Sequence, residues 1–390
     1  MAAKTVLFNP LFSLGFRPFF LSAALSAVLL MLLWLGILQA LLPAPEGYGT
    51  IGWHAHEMLF GYTCAVIAGF LLTAVRNWSG VETAKGMPLL GLVLLWLAGR
   101  ILPFVPALPG WLVSSIDLAF LPLLGAALIK PLFADKNTHN RMILVLLAAM
   151  TLANSLFHGA RLQLLDPVLA WKGLYLMLDS VLLLILMIAG RIMPFFTEAA
   201  LPGISCKPSI LAERGTVYLL FVLLGGDLAG SPLLTGSAAL LLGILQIRRL
   251  AGWFHPQVLG IPILLVLHTG YGFLTIALLV RALAAAGLVS SSSAIHVYTV
   301  GGIGLLTLGM MARVALGHTG RPMRAAKPMI LAFFLIVLAV PFRALLPVLF
   351  PSRHELWINI SGGLWVAAFA SYFVIYLPIL CHKRIDGNPG

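Results

Sequence analysis

Apolar stretches of about twenty residues recur along the whole of this chain, and they leave room for little else. A run of that length crosses a hydrocarbon core of ~30 Å at ~1.5 Å per residue when it is helical. Backbone in lipid must satisfy its own polar groups, so such runs are read as helices. The spans fall near 18–42, 53–75, 87–106, 111–130, 141–162, 168–190, 215–230, 233–248, 257–281, 293–316, 328–350 and 356–381. The seventh and eighth are short, and only Gly225-Gly226-Asp227 to Pro232 separates them. The longest connection, from about Arg191 to Arg214, is too short for a soluble domain. Of the 390 residues 61% are hydrophobic and 9% charged, against about 25% charged in soluble domains. This excludes a soluble enzyme, a disordered chain and a nucleic-acid binder. The expected fold is an all-α bundle of about twelve transmembrane helices, one integral membrane domain over 1–390 whose partner is the lipid bilayer.

Charge then orients the bundle. Lys and Arg number 24 against 12 Asp and Glu, an excess that topology explains. With the N-terminus in the cytoplasm, the twelve spans leave only Arg100, Arg161, Lys172, Arg281, Arg343 and Arg353 on the outer side. The other eighteen, Lys4 and Arg17 among them, are cytoplasmic, as the positive-inside rule requires. A missed span would scramble the alternation, so both termini are expected inside. The first run is too long for a signal-peptide core and is read as a retained anchor. Cys64, Cys206 and Cys381 lie far apart, without a CxxC, and indicate neither disulfides nor a thiolate metal site.

Ionisable side chains in a membrane are expensive and need a reason. His54, His56, His158 and His296 share a layer near the outer surface, and His268 sits deeper in the ninth span. Neutral imidazole is the usual protein ligand of haem iron and copper. Histidines gathered at one depth therefore suggest a redox cofactor held between helices. A lone intramembrane histidine is more often a helix-to-helix hydrogen bond; the layer and the string His54-Ala55-His56-Glu57 weigh against that. His54 and His56 point to nearly opposite sides of a regular helix, so one ligates and the other serves a second purpose. Glu57 follows His54 by three and is expected to fix its tautomer. Asp117 and Asp179 are candidate proton relays or structural partners of Arg or Ser. Arg100, Arg161 and Arg281 read as boundary residues or propionate holders. Trp53, Trp78, Trp111, Trp171 and Trp253 read as an interfacial belt.

A weak internal register sets His56 on His296, Gly61 on Gly301, Gly69 on Gly309 and Gly80 on Gly320. Three four-helix units are one arrangement it allows. Twelve spans so grouped resemble the main subunit of haem-copper oxidases, although this chain has no His-His pair on its seventh span and no His on its sixth.

Five strings carry a closer resemblance: Gly15 through Phe20 (GFRPFF), Trp53 through Phe60 (WHAHEMLF), Gly69 through Gly80 (GFLLTAVRNWSG), Gly190 through Thr197 (GRIMPFFT) and Arg313 through Pro322 (RVALGHTGRP). Together they resemble the NnrS family of bacterial membrane proteins over nearly the whole chain. The resemblance implies a multi-pass protein of the bacterial inner membrane, associated with haem, expected b-type, and with copper. It also implies a role in the response to nitric oxide and nitrosative stress, often beside denitrification.

Two functions are compared. In the first, haem and copper held by His54, His56, His268 and His296, with His158 next and Glu57 behind them, handle nitric oxide or iron-nitrosyl species. That would be an oxidoreductase fed by an unidentified electron donor, since the sequence shows no flavin, nucleotide or CxxCH motif. In the second, the chain transports or exports a small ion or metal chelate, with Pro256, Pro262 and Gly270 interrupting the ninth span. Spectra of the solubilised protein separate them. A Soret band lost in His54→Ala or His296→Ala is expected for the first; a colourless protein that moves solute in liposomes is expected for the second.

Overall fold

The structure is a computed structural model that describes residues 10–207 and 209–387. Lys4, counted above among the cytoplasmic charges, lies outside the described residues. Eleven helices there are long and apolar enough to cross a membrane. They are α1 (Phe16–Leu38), α2 (Thr50–Ser79), α3 (Met87–Phe104), α4 (Gly110–Ala134), α5 (Thr138–Arg161), α6 (Val168–Ala200), α8 (Pro232–Trp253), α9 (Pro262–Ala285), α10 (Ser291–His318), α11 (Lys327–Leu349) and α12 (Pro351–Cys381). Between α6 and α8 runs α7 (Ile210–Ala229), of similar length but carrying Glu213, Arg214 and Asp227. No strand occurs among the described residues, as backbone in lipid demands.

The expected spans coincide with these helices, with three differences. The sixth does not stop at Gly190 but runs through Pro194 to Ala200, so the long connection is largely helix. The ninth is not interrupted. Pro256 lies in a separate 3-10 turn and Pro262 opens α9, at the first-turn position where a missing N–H costs nothing. Gly270 then sits inside a continuous helix, where its missing side chain admits Leu306. Third, Trp53 and Trp253 are buried, pointing into the protein rather than to an interface.

The break between α7 and α8 is well made. Gly230 adopts φ +65°, which glycine alone takes without strain. Ser231 donates its N–H to Gly226 O at 2.8 Å, closing the helix in the Schellman manner. Its side chain then accepts from Leu234 N to start α8.

Contacts divide the described residues into two compact units. One comprises 10–180, 314–322 and 373–387; the other comprises 181–207, 209–313 and 323–372. In the first, α1 packs on α2 and α3–α5 follow in sequence. In the second, α8 packs between α7 and α9, and α9 against α10. Each unit contains one helix that widens into π-helix directly after a histidine. In α2 the wide segment is Glu57–Thr63, after His56. In α10 it is Val297–Gly304, after His296. These are the two histidines that the weak internal register superimposes. In α10 the glycines accept side chains from neighbouring helices: Phe273 at Gly301, Leu274 at Gly302 and Trp365 at Gly304.

Gly173 on α6 shows how tightly the first unit closes. A Cβ there would lie 2.5 Å from the backbone oxygen of Ala153 on α5. Gly173→Ala is therefore expected to destabilise by about 1–3 kcal/mol, read as a lower unfolding midpoint in detergent. Gly91→Ala on α3, where a Cβ meets open space, is expected to leave the midpoint unchanged or raise it.

Candidate metal centre

The widened turn of α2 is where the site begins. A π-helix closes i→i+5 hydrogen bonds, and such segments are frequent at functional sites. The carbonyls of this one receive side chains from α3. Phe60 O accepts from Arg100 Nη1 and Gly61 O from Trp96 Nε1, both at 3.0 Å. Gly61 makes room, since a Cβ there would sit 3.1 Å from Arg100 Cδ. Gly99, beside Arg100, brings α3 so close to α4 that a Cβ would lie 2.6 Å from Asp117 Oδ1. Arg100 is thereby fixed between two carboxylates. Its Nε lies 2.8 Å from Glu57 Oε2, and its Nη2 pairs with Asp117 Oδ1. It is 7% exposed; it does not snorkel to a boundary, because both of its partners are inside.

Asp117 turns its second oxygen to the histidines. Oδ2 accepts from His158 Nε2 at 2.9 Å and from Asn154 Nδ2 at 2.9 Å, and lies 3.3 Å from His56 Nε2. His56 Nδ1 meets Glu57 Oε1 at 3.0 Å, and its Nε2 faces Asn154 Oδ1 at 3.1 Å. His158 Nδ1 meets Ser114 Oγ at 3.0 Å. Ser114 accepts from Arg161 Nη2 at 2.6 Å, which also donates to Gly110 O at 2.7 Å. The histidines at the centre of this network are buried, His56 0% and His158 1% exposed, and Arg161 at its edge is half-buried. Its two carboxylates, Glu57 and Asp117, are met by Arg100 between them and by Arg161 behind Ser114.

One ligand atom from each of His56, Asp117 and His158 lies within 4.8 Å of the others. Ligands ~2.0–2.1 Å from a tetrahedral ion stand about 3.3 Å apart. The His56 Nε2–Asp117 Oδ2 separation, 3.3 Å, matches that spacing, and the His158 Nε2–Oδ2 separation, 2.9 Å, is that of the hydrogen bond between them. Each imidazole has its other nitrogen on an oxygen, which is how metal-bound histidines are oriented. The residues fit a single small ion. They do not fit a macrocycle. The His56 ring is covered by Phe157 at 4.7 Å and Phe60 at 5.0 Å, and the His158 ring stands 5.0 Å away.

Tyr48, in the turn before α2, lies edge-on to both rings at 5.5 and 6.1 Å. It also walls a cleft of about 470 Å³ shared with Gly49, Gly52, Phe157, Arg161 and Trp171. Burial pushes its phenol above the ordinary range, so the hydroxyl keeps its proton.

Of the residues singled out in the sequence, the fold thus brings together His56, Glu57 and His158. Glu57 serves His56, not His54. The three-residue spacing fails here because the helix changes its period at Glu57 itself. His54 lies on another face and stacks on Trp34 at 4.3 Å. His268 and His296 belong to the second unit. There His268 Nδ1 faces Leu264 O at 3.1 Å and its Nε2 Thr197 Oγ1 at 3.4 Å. His296 Nδ1 faces Ser292 O at 2.7 Å. Sequence reasoning missed Asn154 and Ser114 and left Asp117 with two readings. Each sits one turn from another member of the site, Asn154 before His158 and Ser114 before Asp117. That signal appears only once those two residues are known to meet.

Removing Arg100 leaves Glu57 and Asp117 buried without their counter-charge. Arg100→Ala is expected to cost about 3–5 kcal/mol, measured as a lowered unfolding midpoint in detergent.

A family model described as NnrS protein matches residues 10–384. No curated protein matches the chain. The match spans the helices of both units and every residue of the His56–Asp117–His158 site, and the chain belongs to the NnrS family.

Proposed function

We propose that this is a membrane protein of the nitric oxide response in which His56, His158 and Asp117 hold one metal ion, copper in the first instance. The observation that carries the reading is the convergence of two imidazole nitrogens and one carboxylate oxygen at ion spacing, inside a chain of a family associated with metal and haem. Imidazole nitrogen suits copper, which also heads the divalent affinity order. Such an ion supplies a redox-active position for a small ligand such as nitric oxide.

The protein's own part is electrostatic and positional. Glu57 accepts from His56 Nδ1 and turns Nε2 toward the centre. Ser114, held by Arg161, meets His158 Nδ1 and steadies that ring from behind. Arg100 holds one oxygen of each carboxylate and so leaves Asp117 Oδ2 facing the ion. His56 Nε2 exchanges a proton for the ion, so binding releases protons and weakens as the pH falls. The Lys and Arg bias supports a reading in which this site lies toward the outer leaflet of the bacterial inner membrane and both termini are in the cytoplasm.

Metal analysis and spectra of the purified protein test this. Wild type is expected to bind one copper ion. His56→Ala, His158→Ala and Asp117→Ala are expected to lose it while migrating as wild type in gel filtration. Glu57→Gln, which removes the charge paired with Arg100 along with the carboxylate behind His56, is expected to weaken binding roughly 10–100-fold. Copper retained in the His56→Ala, His158→Ala double variant would overturn the assignment. Haem, which the family reading adds, belongs to other histidines, since the cluster has no slot for it. A Soret band lost in His268→Ala or His296→Ala and kept in His56→Ala is the expected outcome.

A further inference from the structure

Tyr48 has no role in the network described above, yet its placement is costly. The residue is 6% exposed, and its hydroxyl is buried without a hydrogen-bond partner. Burying an unpaired hydroxyl is unfavourable unless something completes it. The Tyr48 ring lies 5.5 Å from that of His56 and 6.1 Å from that of His158, so it sits beside the centre. The acceptors there are occupied: Asp117 Oδ2 by His56, His158 and Asn154, and Glu57 Oε1 by His56.

The backbone holds the residue there on purpose. Gly47 and Gly49 flank Tyr48 at φ +77° and +64°, values that favour glycine. The Arg161 guanidinium lies 4.7 Å from the Tyr48 ring centroid, and a Cβ on Gly47 would press on Arg161 Cγ at 3.3 Å. The ring therefore stands between the histidines on one side and the cleft of about 470 Å³ on the other.

We infer that Tyr48 is the hydrogen-bond donor to a small acceptor ligand at the His56–Asp117–His158 centre, and that the cleft beside it is that ligand's way in. The ligand is a two- or three-atom acceptor, neutral or singly negative, for which Arg161 on the cleft wall supplies a complementary charge. The inference rests on the metal reading above.

Azide is the probe, titrated into copper-loaded protein and followed by its ligand-to-metal charge-transfer band. Tyr48→Phe is expected to keep copper stoichiometry and unfolding midpoint while weakening azide about tenfold or more. Gly52→Leu narrows the cleft without touching the centre. It is expected to slow azide association about tenfold and leave the equilibrium affinity unchanged. Copper bound normally, with azide affinity in Tyr48→Phe equal to wild type, overturns the donor role and leaves the metal reading intact. An association rate in Gly52→Leu equal to wild type overturns the cleft as the route. A wild-type protein that takes up no copper overturns the metal reading, and this inference with it.

Discussion

Two carboxylates buried among apolar helices are tolerated in this protein because one guanidinium lies between them. Glu57, Arg100 and Asp117 come from three helices, and none of the three has water to turn to. Ions taken out of water are stable only with good geometry and further hydrogen bonds. The geometry is provided by backbone. Gly61 admits the arginine, Gly99 admits Asp117, and the widened turn of α2 offers the arginine the Phe60 carbonyl. The π-segment, the two glycines and the ion pair thus act as one device that locks α2, α3 and α4 together.

The histidine pair depends on that lock. Asp117 can present Oδ2 to His56 and His158 because Arg100 holds its other oxygen. Glu57 can receive His56 Nδ1 because Arg100 carries its second oxygen. Both imidazoles are therefore aimed before any ligand arrives, with their outer nitrogens tied down by protein oxygens. A pre-aimed set of donors that includes a carboxylate oxygen is suited to a cation. Two aromatic rings on His56 leave no face for a larger group.

A similar backbone event recurs in the second unit with different surroundings. His296, like His56, is followed at once by π-helix. There the glycines of the widened stretch receive Phe273, Leu274 and Trp365 rather than an arginine. The same local distortion serves apolar packing in one unit and ionic packing in the other. What a π-segment does follows from the side chain that meets its freed space.

Hydropathy by itself determined the number and approximate limits of the helices, because a lipid-crossing helix has one length and tolerates few charges. The expense of burying charge in turn marked His56, Glu57 and His158 as residues needing a reason. Helix rotation and helix neighbours are properties of packing, and no spacing rule contains them. Tertiary structure alone therefore decided that Asp117, Asn154 and Arg100 are those residues' partners. It also decided that Glu57 serves His56 and that His54 faces elsewhere, since the helix changes its period at Glu57. Proximity among side chains from α2, α3, α4 and α5 is created only when those helices pack, which is why the charges were legible in the sequence and their pairing was not.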